Sequence, residues 1–239
     1  MKVAILCGGL GSRIKNYYPN TIKSLINFNN IPFIFYQLAV LYKNRLTDIV
    51  LCSGYGSDEL CTTIKSMEIF LKNYTKMNIV IYPDGDVPLG TGGSIKRALP
   101  LLGDKFGVLY GDSYLDFNYG ETINKFYNSH KLGLMTLYHN QNIYGKSNVE
   151  FDGKQLLSYN KISSEGEYID YGFNLFDASA FNGFSKNFDL SSVIQELIVK
   201  REMDYDIIPN RFYEIGSIEG IQDLEKRVKN ENFFSRLFI

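Results

Sequence analysis

Two histidines (His130 and His139) and three cysteines (Cys7, Cys52 and Cys61) are few among 239 residues. So few histidines argue against a catalytic scheme that needs several. An odd number of cysteines without metal-type spacing predicts reduced thiols in a cytoplasmic protein, not a disulfide framework or a zinc site. Cys7 and Cys52 lie in apolar, strand-like runs, which makes them small core residues. No apolar stretch approaches the ~20 residues that a spanning helix needs. The run Val3–Cys7 is too short for a signal peptide and no small-residue cleavage site follows it. Basic charge is not in surplus: 25 Lys and Arg stand against 26 Asp and Glu, for a net charge of −1. Nothing there argues for nucleic acid or a membrane surface as a main partner. Internal repeats, low-complexity tracts and an obvious linker are also missing.

The chain is otherwise ordinary for a soluble globular protein, with 45% hydrophobic and 21% charged residues. Its length suits one domain, residues 1–239, with a real core. The first half alternates strand-like and helix-like segments. Strands are predicted over 2–7, 48–53, 78–83 and 106–110, and helices over 32–44, 57–73 and 92–102. That rhythm predicts an α/β, Rossmann-like, mostly parallel sheet flanked by helices. The second half differs. Short strands are predicted over 133–139, 147–152, 155–159 and 168–176, with Asp152-Gly153 as a hairpin signal. Helices follow over 190–201 and about 217–229. The expectation is a parallel core with a smaller antiparallel part around one cleft.

Leu6-Cys7-Gly8-Gly9-Leu10-Gly11-Ser12-Arg13 follows the first strand. In an open parallel sheet, ligands bind beyond the carboxyl ends of the strands. Glycines there bring backbone N–H groups close to an anion, and an arginine adds a fork suited to phosphate oxygens. The loop is neither a P-loop pattern nor a Gly-x-Gly-x-x-Gly dinucleotide fingerprint. Taken alone, it reads equally well as a glycine-rich turn between strand and helix.

Together with Lys23-Ser24-Leu25, ten residues on, the loop resembles the signature of the sugar-1-phosphate nucleotidyltransferases. Three later segments extend the resemblance. Pro88-Leu89-Gly90-Thr91-Gly92-Gly93-Ser94-Ile95 is similar to the segment that holds the nucleobase, in a form closest to the heptose 1-phosphate guanylyltransferases. Tyr110-Gly111-Asp112 is similar to the strand-end Gly-Asp that binds Mg²⁺, a hard cation that takes carboxylate oxygens. Tyr213-Glu214-Ile215-Gly216 resembles the late Asp-Ile-Gly that gives a second metal ligand; as a solvated surface charge, Glu214 has a plainer reading. The resemblance spans residues 2 to about 225.

It implies a GT-A-like fold with a nucleotide-binding half (about 1–116) and a sugar-binding half (about 117–239). It implies an enzyme that joins an NTP to a sugar 1-phosphate, releasing pyrophosphate, for bacterial surface glycan synthesis. GTP and a heptose 1-phosphate come first by motif form, with cytidylyl, uridylyl or thymidylyl transfer to another sugar or an unusual phosphate as alternatives. In this scheme Arg13 and Lys23 are catalytic. Leu6, Gly8, Gly9, Gly11, Ser12, Pro88, Gly90, Thr91, Gly92 and Gly111 bind the nucleotide. Asn148, Lys161, Asp170 and Gly172 hold the sugar phosphate, and Asp112 and Glu214 hold Mg²⁺. No covalent intermediate is implied.

Three departures stand out: Ser24 for a loop-stiffening proline, which predicts a looser Lys23, Glu214 for Asp, and Asp170 for Asn. They leave open a non-catalytic nucleotide-binding homologue. A nicotinamide-dependent oxidoreductase ranks low, because residues 50–56 lack the acid that would hold a ribose. A sticky interaction protein would use the 18 Tyr and 17 Phe but leaves the glycine motifs unexplained. Monomer and homo-oligomer are both open.

Overall fold

The computed structural model describes every residue except 10–13, 15, 20, 55, 68–75, 86, 161–165 and 230–239. Strand β1 (Lys2–Leu6) leads to a 3₁₀ turn (Lys23–Leu25), a short hairpin of β2 (Asn27–Phe28) and β3 (Ile31–Pro32), and helix α1 (Phe33–Lys43). Then come β4 (Asp48–Ser53), α2 (Ser57–Ser66), β5 (Asn78–Pro83), α3 (Gly90–Leu102), β6 (Lys105–Tyr110) and β7 (Ser113–Tyr114). The second half holds α4 (Tyr119–Ser129), β8 (Gly133–His139), β9 (Val149–Phe151), β10 (Leu156–Tyr159) and β11 (Tyr168–Asp177). It closes with α5 (Leu190–Val199), β12 (Met203–Ile207), β13 (Tyr213–Glu214) and α6 (Ile218–Lys229).

Nine strands form one sheet in the order β10-β9-β11-β6-β1-β4-β5, with β8 on β11 and β12 on β8. Strands β6, β1, β4 and β5 are mutually parallel. Strand β11 runs antiparallel to β6 and β8. This is the predicted α/β sheet with a smaller antiparallel part. Side-chain alternation divides the core. Val3, Ile5, Ile49 and Leu51 pack under α1, α2 and α6, whereas Ala4, Val50, Cys52 and Val108 pack under α3 and α5. Both faces of the parallel strands are therefore covered, which is why their sequences are apolar throughout rather than alternating.

Several boundaries moved. Strand β1 ends at Leu6, although the Cys7 N–H still donates to Cys52 O at 2.8 Å. Helix α3 begins at Gly90, so the glycines form its first turn instead of preceding it. Helix α2 ends at Ser66, and the rest of the predicted 57–73 segment falls largely outside the described residues. Helix α5 stops at Val199. The Asp152-Gly153 hairpin is present with a four-residue loop, in which Asp152 Oδ1 accepts from the N–H groups of Lys154 and Gln155 at 2.8 Å each.

Three features were not anticipated. Helix α4 shows few apolar positions, yet the Asn118 side chain caps it by accepting from Gly120 and Glu121 N–H. Strand β12 was missed although its MDYDI alternates apolar and charged residues, the pattern of a half-buried strand. Strands β7 and β13 are two residues each and pair only with each other, Ser113 opposite Glu214.

Candidate active site

The carboxyl ends of β1, β4, β5 and β6 open into one cavity of about 490 Å³. Its near wall carries Leu6, Cys7, Gly8 and Gly9 after β1, Cys52 in β4, Asp84 after β5, and Tyr110 to Ser113 after β6. Pro88, Gly90, Thr91 and Ser94 border it from the start of α3. Asn148, Ile169, Asp170, Tyr171, Phe212 and Glu214 close it from the antiparallel side, and Lys23 and Ser24 complete the lining.

The polar centre is the pair Lys23–Asp112, with Nζ 2.9 Å from Oδ2 and side chains 15% and 28% exposed. Lys23 opens the 3₁₀ turn, and Ser24 behind it is buried. The Ser24 side chain faces the Cys7 thiol at the end of β1 and lowers its pKa slightly. Lys23 is held in place by its turn and by Asp112. Burial pushes the Cys7 thiol up to about 12, with Ser24 a smaller opposing effect, and Cys7 stays a neutral thiol with no nucleophilic role.

Asp112 sits where β6 crosses into the β7–β13 ribbon. Ile215 N–H donates to Asp112 O at 2.9 Å, and Glu214 pairs in register with Ser113. The ribbon thus brings two carboxylates, 102 positions apart in the numbering, onto one cavity wall. Glu214 is half-buried there and is not an ordinary solvated surface charge. No group of three or more His, Cys, Asp or Glu is gathered for a metal ion among the described residues. Two carboxylates nonetheless fit Mg²⁺, which usually takes one or two of them and fills its shell with phosphate oxygens and water.

Gly111 is glycine for a local reason. A Cβ there would lie 2.2 Å from the carbonyl oxygen of Leu6. Gly111→Ala is expected to cost about 1–3 kcal/mol through overpacking, read as a lower denaturation midpoint with an unchanged m-value. A wild-type midpoint would show that the two strand ends separate freely.

The cavity gathers most of the predicted site residues but not all. Leu6, Gly8, Gly9, Lys23, Pro88, Gly90, Thr91, Gly111, Asp112, Asn148, Asp170 and Glu214 line it together. Gly92 does not reach the wall: it packs against Phe188, whose ring would lie 2.3 Å from a Cβ, and its N–H donates to Phe188 O at 3.0 Å. Its role in this structure is close packing of α3 on the segment before α5. Gly172, with φ +106°, stands behind the wall beside Ser113. Gly11, Ser12, Arg13 and Lys161 lie outside the described residues.

Asp170 is buried, and its carboxylate takes protein donors. Tyr110 Oη donates at 2.7 Å, Gly172 N–H at 3.0 Å, and Asn174 Nδ2 at 3.1 Å to either oxygen. Burial first, and the Asp170 charge second, hold the Tyr110 phenol well above its usual range, so it remains a donor. Among the lining residues to which sequence reasoning gave no role are Asp84, Ser94 and Tyr110. Asp84 Oδ1 accepts from Ser94 Oγ, which fixes the carboxylate against α3. The signal for Asp84 was its place just after a parallel strand, the same signal that marked Asp112.

Known proteins bear on this arrangement. A D-glycero-alpha-D-manno-heptose 1-phosphate guanylyltransferase from Campylobacter jejuni is 26% identical over 219 residues, 90% of this chain and 95% of the relative. A mannose-1-phosphate guanyltransferase from Aspergillus oryzae is 34% identical over 125 residues, 51% of this chain and 33% of its own length. The crystal structure of HddC from Yersinia pseudotuberculosis shares the fold with a TM-score of 0.81 at 20% identity, over 95% of this chain and 98% of that one. No helix among the described residues is long and apolar enough to cross a membrane. Residues 2–231, which include both walls of the cavity, match the nucleotidyl transferase family, and the chain belongs to it.

Proposed function

We propose that this chain condenses a nucleoside triphosphate with a sugar 1-phosphate, giving an NDP-sugar and pyrophosphate, with GTP and a heptose 1-phosphate as the preferred pair. The carrying observation is the juxtaposition, in one cavity, of the backbone of Gly8 and Gly9, the Lys23–Asp112 pair and Glu214. An oxygen of the sugar phosphate attacks the α-phosphorus, a new P–O bond forms, and the bond to the β-phosphate oxygen breaks with its electrons leaving on pyrophosphate. The chemistry needs positioning and charge neutralisation rather than a covalent intermediate.

Gly8 and Gly9 approach the triphosphate through backbone, with Gly11, Ser12 and Arg13 expected to continue that cradle. Lys23 meets the charge that develops on the α-phosphoryl group. Asp112 and Glu214 would hold Mg²⁺. When bound, this ion neutralises phosphate charge and aligns the reacting groups. Asn148 spends its side-chain oxygen on Asp170 N–H at 2.8 Å, which leaves its carboxamide nitrogen for a sugar hydroxyl. Asp170 shapes that wall, and Lys161 is expected to hold the incoming phosphate.

Support for guanine comes from Asp84. It follows β5 while Asp112 follows β6, three strand spacings away, about 14 Å by sheet geometry. At that distance its carboxylate serves the base and not the phosphates. A carboxylate only accepts, which matches the adjacent N1–H and N2–H donors of guanine and opposes the carbonyls of uracil and thymine. The name of the Campylobacter relative agrees with both substrates. Asp84→Asn is expected to reduce the kcat/KM preference for GTP over UTP by about 1–3 kcal/mol. Measured ratios that stay at the wild-type value would move base selection elsewhere.

The direct test is Mg²⁺-dependent pyrophosphate release from GTP, CTP, UTP and dTTP, each crossed with heptose and hexose 1-phosphates. Release above background with at least one pair is expected, highest with GTP. Folded protein that stabilises with NTP but releases no pyrophosphate with any pair would make it a non-catalytic nucleotide-binding homologue.

A further inference from the structure

Helix α1 is buried from Phe33 to Leu41, and within that run Gln37 is a carboxamide with 2% exposure. Its Nε2 donates to Tyr110 O at 2.9 Å and to Ser113 O at 2.8 Å. These two carbonyls bracket Gly111 and Asp112. The opposite amide orientation would set Oε1 against both carbonyls, so donation by nitrogen is the arrangement that chemistry permits. The cost is visible: Oε1 is buried without a hydrogen-bond partner. A leucine at this position would fill the space with no orphaned oxygen. What the carboxamide adds is a double clamp on the turn that carries Asp112.

From this geometry we infer that Gln37 is a positioning residue for Asp112, setting where its carboxylate meets a divalent cation. The inference rests on the role proposed for Asp112. The backbone of this turn is held at three points: Tyr110 O and Ser113 O by Gln37, and Asp112 O by Ile215 N–H. Gly111 is wedged against Leu6 O, which keeps the turn from sliding toward β1. Losing the Gln37 clamp frees two carbonyls beside the carboxylate while leaving the hydrophobic surround of α1 in place. A partner behind a metal ligand commonly governs 10–100-fold in metal affinity or activity.

The test uses Mn²⁺ as the probe, with binding followed by its free-ion resonance signal in the presence of a non-hydrolysable GTP analogue. Gln37→Met keeps length and apolar bulk but donates nothing. It should weaken Mn²⁺ binding about 10–100-fold while nucleotide affinity measured without divalent ion stays within twofold of wild type. Gln37→Glu preserves volume and guards against a folding failure of the methionine variant. A buried carboxyl titrates at raised pH; protonated, it donates to one carbonyl, and ionised, it repels both. Its Mn²⁺ affinity should therefore recover as pH falls and collapse as pH rises, a profile that simple loss of packing does not produce.

Mn²⁺ affinity within twofold of wild type in folded Gln37→Met, or a flat pH profile in Gln37→Glu, would overturn the assignment. If wild-type protein with nucleotide shows no Mn²⁺ binding, the metal role of Asp112 itself falls, and the assignment of Gln37 with it. If wild type binds and the variants bind alike, only Gln37 is at fault.

Discussion

Asp112→Ala is expected to lower turnover by about 10²–10³-fold, the scale of losing one preorganised electrostatic contact to the transition state, while the protein stays folded. The side chain sits at the carboxyl end of a buried parallel strand, on the ribbon that also presents Glu214. Among the described residues its ion-pair partner is Lys23, and both partners keep some solvent contact. Removing one partner of a part-buried pair costs less than the ~3–5 kcal/mol of a fully buried one, because Lys23 keeps some solvent, and the chain stays folded. The substitution thus separates function from fold. Steady-state pyrophosphate release at saturating Mg²⁺, beside a thermal melt, gives the answer. Near-normal rates would remove Asp112 from the chemistry, and a collapsed melt would make it structural.

Lys23→Ala should act mainly on kcat. If its ammonium meets charge that builds only as the α-phosphoryl group transfers, kcat and kcat/KM fall together and KM for NTP moves little. The expected loss is again about 10²–10³-fold. A rise in KM with unchanged kcat would instead place Lys23 in ground-state binding. Because Lys23 and Asp112 touch, the double variant should lose much less than the product of the single losses. Full additivity would mean that the 2.9 Å pair has no part in a shared step. Lys23→Arg is a useful companion. It keeps the charge but replaces a compact point donor with a planar fork, so partial activity would assign the role to charge, and full loss to geometry.

Much of the fold was legible in the sequence. Strands 48–53, 78–83 and 133–139 have the predicted bounds because continuous apolar runs between turn residues leave little choice. What escaped was short or mixed. Strands β7 and β13 are two residues each and carry no periodicity, yet they bring Glu214 beside Asp112. Helix α4 was missed because its apolar face is thin, and the one local signal for it was the Asn118 cap. The glycines of 90–93 were legible as functional punctuation, but their tasks differ. Gly90 borders the cavity, while Gly92 and Gly93 let α3 pack on the segment at Phe188.

Local chemistry in the chain determined the parallel core, the glycines after β1 and the strand-end carboxylate, because each is written within a few consecutive residues. Tertiary structure alone decided which distant groups meet. Lys23 pairs with Asp112, Ser94 steadies Asp84, and Gln37 clamps the turn around Gly111. Hydrogen bonds and ion pairs of this kind depend on placements of a few tenths of an ångström between segments far apart in sequence. Those placements come from packing two helical layers on the sheet, and no spacing pattern records them.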